Sequence, residues 1–360
     1  METNKLEQFL HLMRYSIGAD STPPDIDRDS GWGDMYDFLW DHDATALCFE
    51  AIARMPDSKR PTLNTTICMA ILSRSREDAV RPLYSRCMQV ARKLATQGFY
   101  VCLINSLPMA LLYPGPLQRH CTVVDLWVCG DNRKVMDFVS KNFTATQVGV
   151  CDPDFPMHPE CCVRLFSYPT MMLSSSVNLR LIDWFGKHAV DQFSNAVDLP
   201  GGVGAIATPT LRFNMVYMLL RIYRCFFAGK LAFLNLVDYH LLMVAFFRDA
   251  GPGEADAVRA DISHLGLTRF ARSLMYVLGE TLHTPASSMI VPPSRKHSGL
   301  IFSEVFCREG MSRLHAGWLL TAWRALRRRY LFMLHYPSET FGALWFRFGE
   351  LLFGKTTDCL

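Results

Sequence analysis

The chain lacks an excess of charge of one sign: 37 Lys and Arg stand against 34 Asp and Glu, a net +3 over 360 residues. So near a balance supplies no general basic field of the kind that drives non-specific nucleic-acid binding, and acidic polymers are not expected as main partners. None of its 12 cysteines forms a CxxC pair. Cys121, Cys129 and Cys151, and the adjacent Cys161 and Cys162, lack the paired spacing of a structural zinc site. The basic start and apolar centre of a signal peptide are missing too, since residues 1–16 include Glu2, Lys5, Glu7, His11 and Arg14. The expectation is a cytoplasmic chain with reduced thiols. An uncharged apolar run long enough to span a bilayer is also lacking, because residues 213–247 are broken by Arg221, Arg224, Lys230, Asp238 and His240. That stretch reads as buried helices, with no membrane partner.

What remains is a chain that is 50% apolar, without repeats or low complexity. It is long enough for two domains, or for one with a large helical extension. Apolar positions three and four apart predict helix at Leu6, Leu10 and Met13, and over residues 36–53, 62–75 and 79–97. After Gly98 the period changes. Compact β-branched and aromatic runs predict strands at 99–104, 121–128, 147–151 and 160–166, with a helix over 131–143 capped by Asp131. A helix at 178–185 and a glycine loop at 201–204 lead to a mostly helical remainder. The expected fold is α/β (α+β), a small mixed sheet flanked by helices, divided as 1–97, 98–208 and 209–360.

Several motifs carry two readings. Residues 349–356, Gly-Glu-Leu-Leu-Phe-Gly-Lys-Thr, fit the GxxxxGK[ST] phosphate loop, yet no helix follows for the loop to open. An amphipathic helix burying Phe346, Leu351 and Leu352, with Gly354 at its C-cap, is preferred. Leu199-Pro200-Gly201-Gly202 reads as a turn between strands before it reads as a phosphate cradle. Arg324, Arg327, Arg328 and Arg329 read as a solvated helix face before an anion site. Asp125 is more informative, being the single charge in an otherwise apolar strand, where an ionised carboxylate needs a partner or a metal. Glu160 opens another strand. Two such acids suit one Mg²⁺; from the residues alone, ion pairs with Arg119 and Arg164 are the preferred reading.

The segment Leu112-Tyr113-Pro114, Arg119, Val124-Asp125-Leu126-Trp127-Val128 resembles the Leu-Tyr-Pro…Arg…Gly-Asp-Ile-Asp-Leu stretch of bacterial nucleotidyltransferase-family proteins, within the DNA polymerase beta-like superfamily. Pro159-Glu160-Cys161-Cys162-Val163-Arg164, Leu199-Pro200-Gly201-Gly202, Ile222-Tyr223-Arg224, Asp238-Tyr239 and Tyr336-Pro337-Ser338-Glu339 are similar in order and spacing, from about Trp32 onward. The resemblance implies a nucleotidyltransferase-type sheet and metal-assisted transfer from a nucleoside triphosphate. In such a site carboxylates at i and i+2 of one strand and a third from the next hold the divalent ions. Here Val123 stands for the first aspartate, which leaves Asp125 and Glu160 as the implied catalytic and metal-holding residues. Asn105 and Ser106 replace the Lys-Gly of the turn and would face the phosphates, with Arg119 and Arg164 orienting the acids. Cys162 and Cys225 stand where the family has histidine, and Leu234 where it has arginine. The resulting expectation is a protein that binds a nucleoside triphosphate with one Mg²⁺ through Asp125 and Glu160, its transfer weak or lost. The alternatives are a non-catalytic scaffold on the same fold and an active transferase with Asp152 or Asp154 as substitute acid. Fold-level analogy does not select the acceptor.

Overall fold

The chain was analysed as a computed structural model, which describes residues 3–28, 31–142, 154–158, 161–172 and 174–306. Four helices come first: α1 (Thr3–Ser16), α2 (Gly31–Asp41), α3 (Thr45–Ala53) and α4 (Leu63–Ala95). The helical pattern over 36–53 is broken between α2 and α3 at Asp43, whose φ of 54° places it in the left-handed region, which aspartate tolerates better than most residues. The two helices expected at 62–75 and 79–97 are one, α4, with Pro82 inside it. Proline removes an N–H and leaves the carbonyl four residues back unpaired. Pro82 and Asp78 are both exposed, so water reaches that carbonyl and the helix continues.

The α/β part follows as β1 (Tyr100–Ile104), α5 (Ser106–Ala110), β2 (Val123–Cys129), α6 (Asn132–Asn142), β3 (Asp154–His158), β4 (Cys161–Phe166), α7 (Ser175–Ser194), β5 (Ala196–Asp198) and β6 (Ala205–Ala207). The strands form one mixed sheet in the order β3-β4-β2-β1-β6-β5. Central β2 runs antiparallel to β1 and parallel to β4. The run at 121–128 is therefore strand from Val123 on, while the expected strand at 147–151 lies outside the described residues. β3 was not expected; it is an edge strand, the position in a sheet where proline is tolerated. Pro200, Gly201 and Gly202 make the turn between β5 and β6, with positive φ at both glycines.

The remaining described residues are mostly helical: α8 (Leu211–Ala228), α9 (Phe233–Asp249), α10 (Glu254–His264), α11 (Thr268–Leu282) and α12 (Ser298–Phe306). α8 starts at Thr210, whose hydroxyl accepts from the Phe213 N–H at 3.3 Å, and stops at left-handed Gly229. α8 and α9 are the buried helices expected at 213–247. Among the described residues no helix is long and apolar enough to cross a membrane.

The alternation of β2 sends its side chains into two separate cores. Val124, Leu126 and Val128 pack with the second half of α4, whereas Trp127 joins a larger core built from the first and last helices. Asp125 shares the Trp127 face. α8 covers that face, and Phe213 stacks on Trp127 with ring centroids 6.0 Å apart.

One half-buried histidine, His42, and one buried histidine, His240, lie in the helical core. His42 lies among Phe9, Phe38 and Phe233, and His240 Nδ1 is 2.8 Å from the Thr284 hydroxyl. Burial disfavours the imidazolium and lowers both pKa values to about 4. A depressed pKa means that the unfolded chain binds more protons between pH 6.5 and 4. The stability these groups contribute is therefore present above pH 6.5 and lost as pH falls toward 4, about 3 kcal/mol for each histidine. The melting temperature should drop across this window, and it should drop less in His42→Phe, which has one such proton fewer to take up.

Candidate functional site

The Asp125 cluster is placed by three neighbouring elements. Register sets Asp125 opposite Arg164 on β4 and opposite Ile104 at the end of β1. Asn105 therefore emerges beside the carboxylate. Asp125 is only 4% exposed, and a charge at that depth must be compensated. Arg164 does so with a fork: Nε donates to Oδ1 at 2.6 Å and Nη2 to Oδ2 at 2.9 Å. Asn105 Nδ2 adds a third bond, to Oδ2 at 2.6 Å, and Arg221 Nη1 stands 3.8 Å from the same oxygen. The Tyr217 hydroxyl donates to Asn105 Oδ1, which fixes the direction in which that amide presents its N–H groups. Burial pushes the Tyr217 pKa well above its ordinary value, so it remains a donor.

Asn105 is held in a backbone conformation that few side chains accept, φ 71° and ψ −129°. Glycine is the residue such a turn favours. Its two side-chain bonds offset the strain, which is of order 1–3 kcal/mol for such a residue.

A second buried ion pair joins α9 to the segment before β2. Asp238 of α9, 1% exposed, accepts from Arg119 Nη2 at 2.7 Å, from Arg119 Nε at 3.2 Å and from the Tyr113 hydroxyl at 2.7 Å. Burial alone would disfavour the Arg119 charge, but the Asp238 carboxylate overrides this and holds its pKa well above the usual value. Arg119 thus meets an acid of the helical region, and Arg164 is the arginine that meets Asp125.

The other sequence-derived candidates are dispersed. Glu160 and Asp152 lie outside the described residues, as do the motifs at 324–329, 336–339 and 349–356. Asp154 occupies the register position across from Arg164 on β3. Ser106 is the half-buried first residue of α5, and Asn105 is directed at Asp125 and Tyr217. Val123 is half-buried at the start of β2, Cys225 is half-buried on α8, and Leu234 is buried on α9.

The donors described here do not suit Mg²⁺, which takes carboxylate oxygens and waters in a near-octahedral shell. Both Asp125 oxygens already accept N–H bonds, and two guanidinium charges stand beside them. Among the described residues no three His, Cys, Asp or Glu side chains come together as a metal site. Tyr113 belongs to the Leu-Tyr-Pro segment of the resemblance, whereas Tyr217 and Arg221 have no signal in the sequence beyond the spacing of four that puts them on one helical face.

A cavity of about 550 Å³ opens between α5, the approach to α8 and the end of α9, with Met109, Leu112, Asn214 and Phe246 among its lining. Arg212 also lines it, and its Nε is buried without a hydrogen-bond partner among the described residues. Asn214, Tyr217 and Arg221 follow at i, i+3 and i+7 along α8. The cavity and the ion-pair cluster thus lie along one helix face, about 10 Å apart at 1.5 Å per residue.

No protein-family profile matches the chain, and no curated protein matches it. Among solved structures it is similar to an antigenic nucleotidyltransferase-like protein from Paracoccidioides brasiliensis, at 14% identity and a TM-score of 0.34, over 56% of this chain and 96% of that one.

The strained turn yields a test by substitution. Asn105→Ala removes the bonds to Asp125 and Tyr217 and keeps the strain, whereas Asn105→Gly loses the bonds and relieves the backbone. The glycine variant should be the more stable of the two by about 1–2 kcal/mol in chemical denaturation.

Proposed function

We propose that the chain is a nucleotidyltransferase-like protein that binds a phosphate-bearing small molecule of nucleotide size and does not transfer its nucleotidyl group. The single observation that carries this reading is the saturation of Asp125. The one acid of β2 that the resemblance assigns to metal binding is held by Arg164 and Asn105 and faces Arg221. Its strand neighbour at i−2 is Val123, which offers no oxygen ligand. A two-metal displacement needs carboxylates that bridge ions on the attacking and leaving oxygens. An aspartate already paired with a guanidinium fork and an amide does not supply that bridge.

Support for binding comes from the rest of the site. The cavity beside α5 has the size of a small-molecule pocket, and its lining mixes apolar side chains with Asn214, Arg212 and the acids Asp191, Asp249 and Glu254. Arg221 stands on the α8 face that carries Asn214, where phosphates would follow the body of a nucleotide.

Incubation of the four α-labelled nucleoside triphosphates with the protein, Mg²⁺ or Mn²⁺ and an extract of its host cell tests the reading. Label should reach no acceptor faster than with Asp125→Asn. Transfer that Asp125→Asn abolishes would show that the carboxylate works as a catalyst and would refute the proposal.

A further inference from the structure

We infer that the cavity beside α5 selects a nitrogen heterocycle with an amino group next to an unprotonated ring nitrogen, an inference that rests on the binding part of the reading above. Buried polar atoms in folded proteins are nearly always hydrogen-bonded. Three side chains of this lining carry atoms that have no partner among the described residues. Arg212 Nε is buried and donates to nothing. The Asn214 side chain is 3% exposed, and its Nδ2 donates to the Pro209 carbonyl at 3.3 Å. A carbonyl only accepts, so this bond fixes the direction of the amide and leaves Oδ1 to the cavity as an acceptor. Thr208 is equally buried; its backbone N–H and C=O pair with Asn195, while its hydroxyl bonds to no described residue.

The lining thus offers a donor at Arg212, an acceptor at Asn214 and a hydroxyl that can serve as either at Thr208. A ligand edge that answers the first two must present an acceptor and an N–H donor together. An amino group beside an unprotonated ring nitrogen does so. The oxo form, with a carbonyl beside a protonated ring nitrogen, presents the reverse and sets donor against donor and acceptor against acceptor. Met109 and Phe246, both buried, give the faces of such a ring an apolar wall. Charge points the same way. Asp249 is paired with Arg248 at 2.8 Å and Glu254 takes the Gly251 N–H at 2.8 Å, but Asp191 meets no described residue. With three acids and Arg212 as the single base, the lining disfavours a phosphate inside the cavity and tolerates an amino group.

Titration calorimetry with AMP, CMP, IMP and UMP tests this. AMP should bind at least about tenfold more tightly than IMP, and CMP than UMP, because the oxo forms leave a buried donor and a buried acceptor unpaired. Arg212→Met should weaken AMP by about tenfold and IMP little. The same change removes an unpaired buried N–H, so the melting temperature of the free variant should be unchanged or higher, as a purely structural arginine would not allow. Equal binding of amino and oxo forms, a preference for the oxo forms, or an Arg212→Met variant that keeps the wild-type preference would overturn the inference alone. A lower melting temperature in Arg212→Met would show that the arginine serves the fold and would overturn it as well. Binding of none of the four would overturn the binding part of the reading above, and the inference with it.

Discussion

The structure depends on the compensation of one buried carboxylate. Asp125 lies in the middle of a mixed sheet at a depth where an unpaired charge costs several kcal/mol, so the surrounding elements must bring donors to it. β4 supplies a guanidinium fork through its parallel register, the strained turn after β1 supplies an amide, and α8 supplies a second arginine. Each donor comes from a different element. The ion pair therefore fixes the relative position of β1, β2, β4 and α8 as well as the chemistry of the cluster.

α8 shows how helical and sheet geometry cooperate. Phe213, Tyr217 and Arg221 recur every four residues on one side of the helix and meet Trp127, Asn105 and Asp125 in turn. One helical stripe thus passes from apolar stacking, through a hydroxyl–amide bond, to a charge contact. The Asp238 pair with Arg119 and Tyr113 ties α9 to the loop ahead of β2 in the same manner. Two buried acids, one on the sheet and one on a helix, each take an arginine and a further neutral donor.

Much of this was legible in the sequence where a local signal existed. The compact β-branched and aromatic runs identified β1, β2 and β4, and the isolated charge in the second of them singled out Asp125. The helical pattern was read as two segments, 62–75 and 79–97, where the chain makes one helix through Pro82, and the edge strand β3 was not read at all. The partners of the two acids were legible only in part. Arg119 and Arg164 are near them in sequence, but Tyr217 reaches Asn105 across 112 residues and nothing local marks it. The strain at Asn105 was hidden as well: its place in the turn where the related family has Lys-Gly was visible, while its positive φ emerges only from the fold.

A double-mutant cycle on Asp125 and Arg164, read by denaturant unfolding, tests the central claim most directly. If the pair anchors the site, each alanine substitution should cost about 2 kcal/mol or more, since each leaves its partner uncompensated. The double variant should then lose less than the two together, by about 2 kcal/mol. Additive losses, or an Arg164→Ala variant as stable as the wild type, would show that Asp125 does not depend on the arginine and would contradict the account.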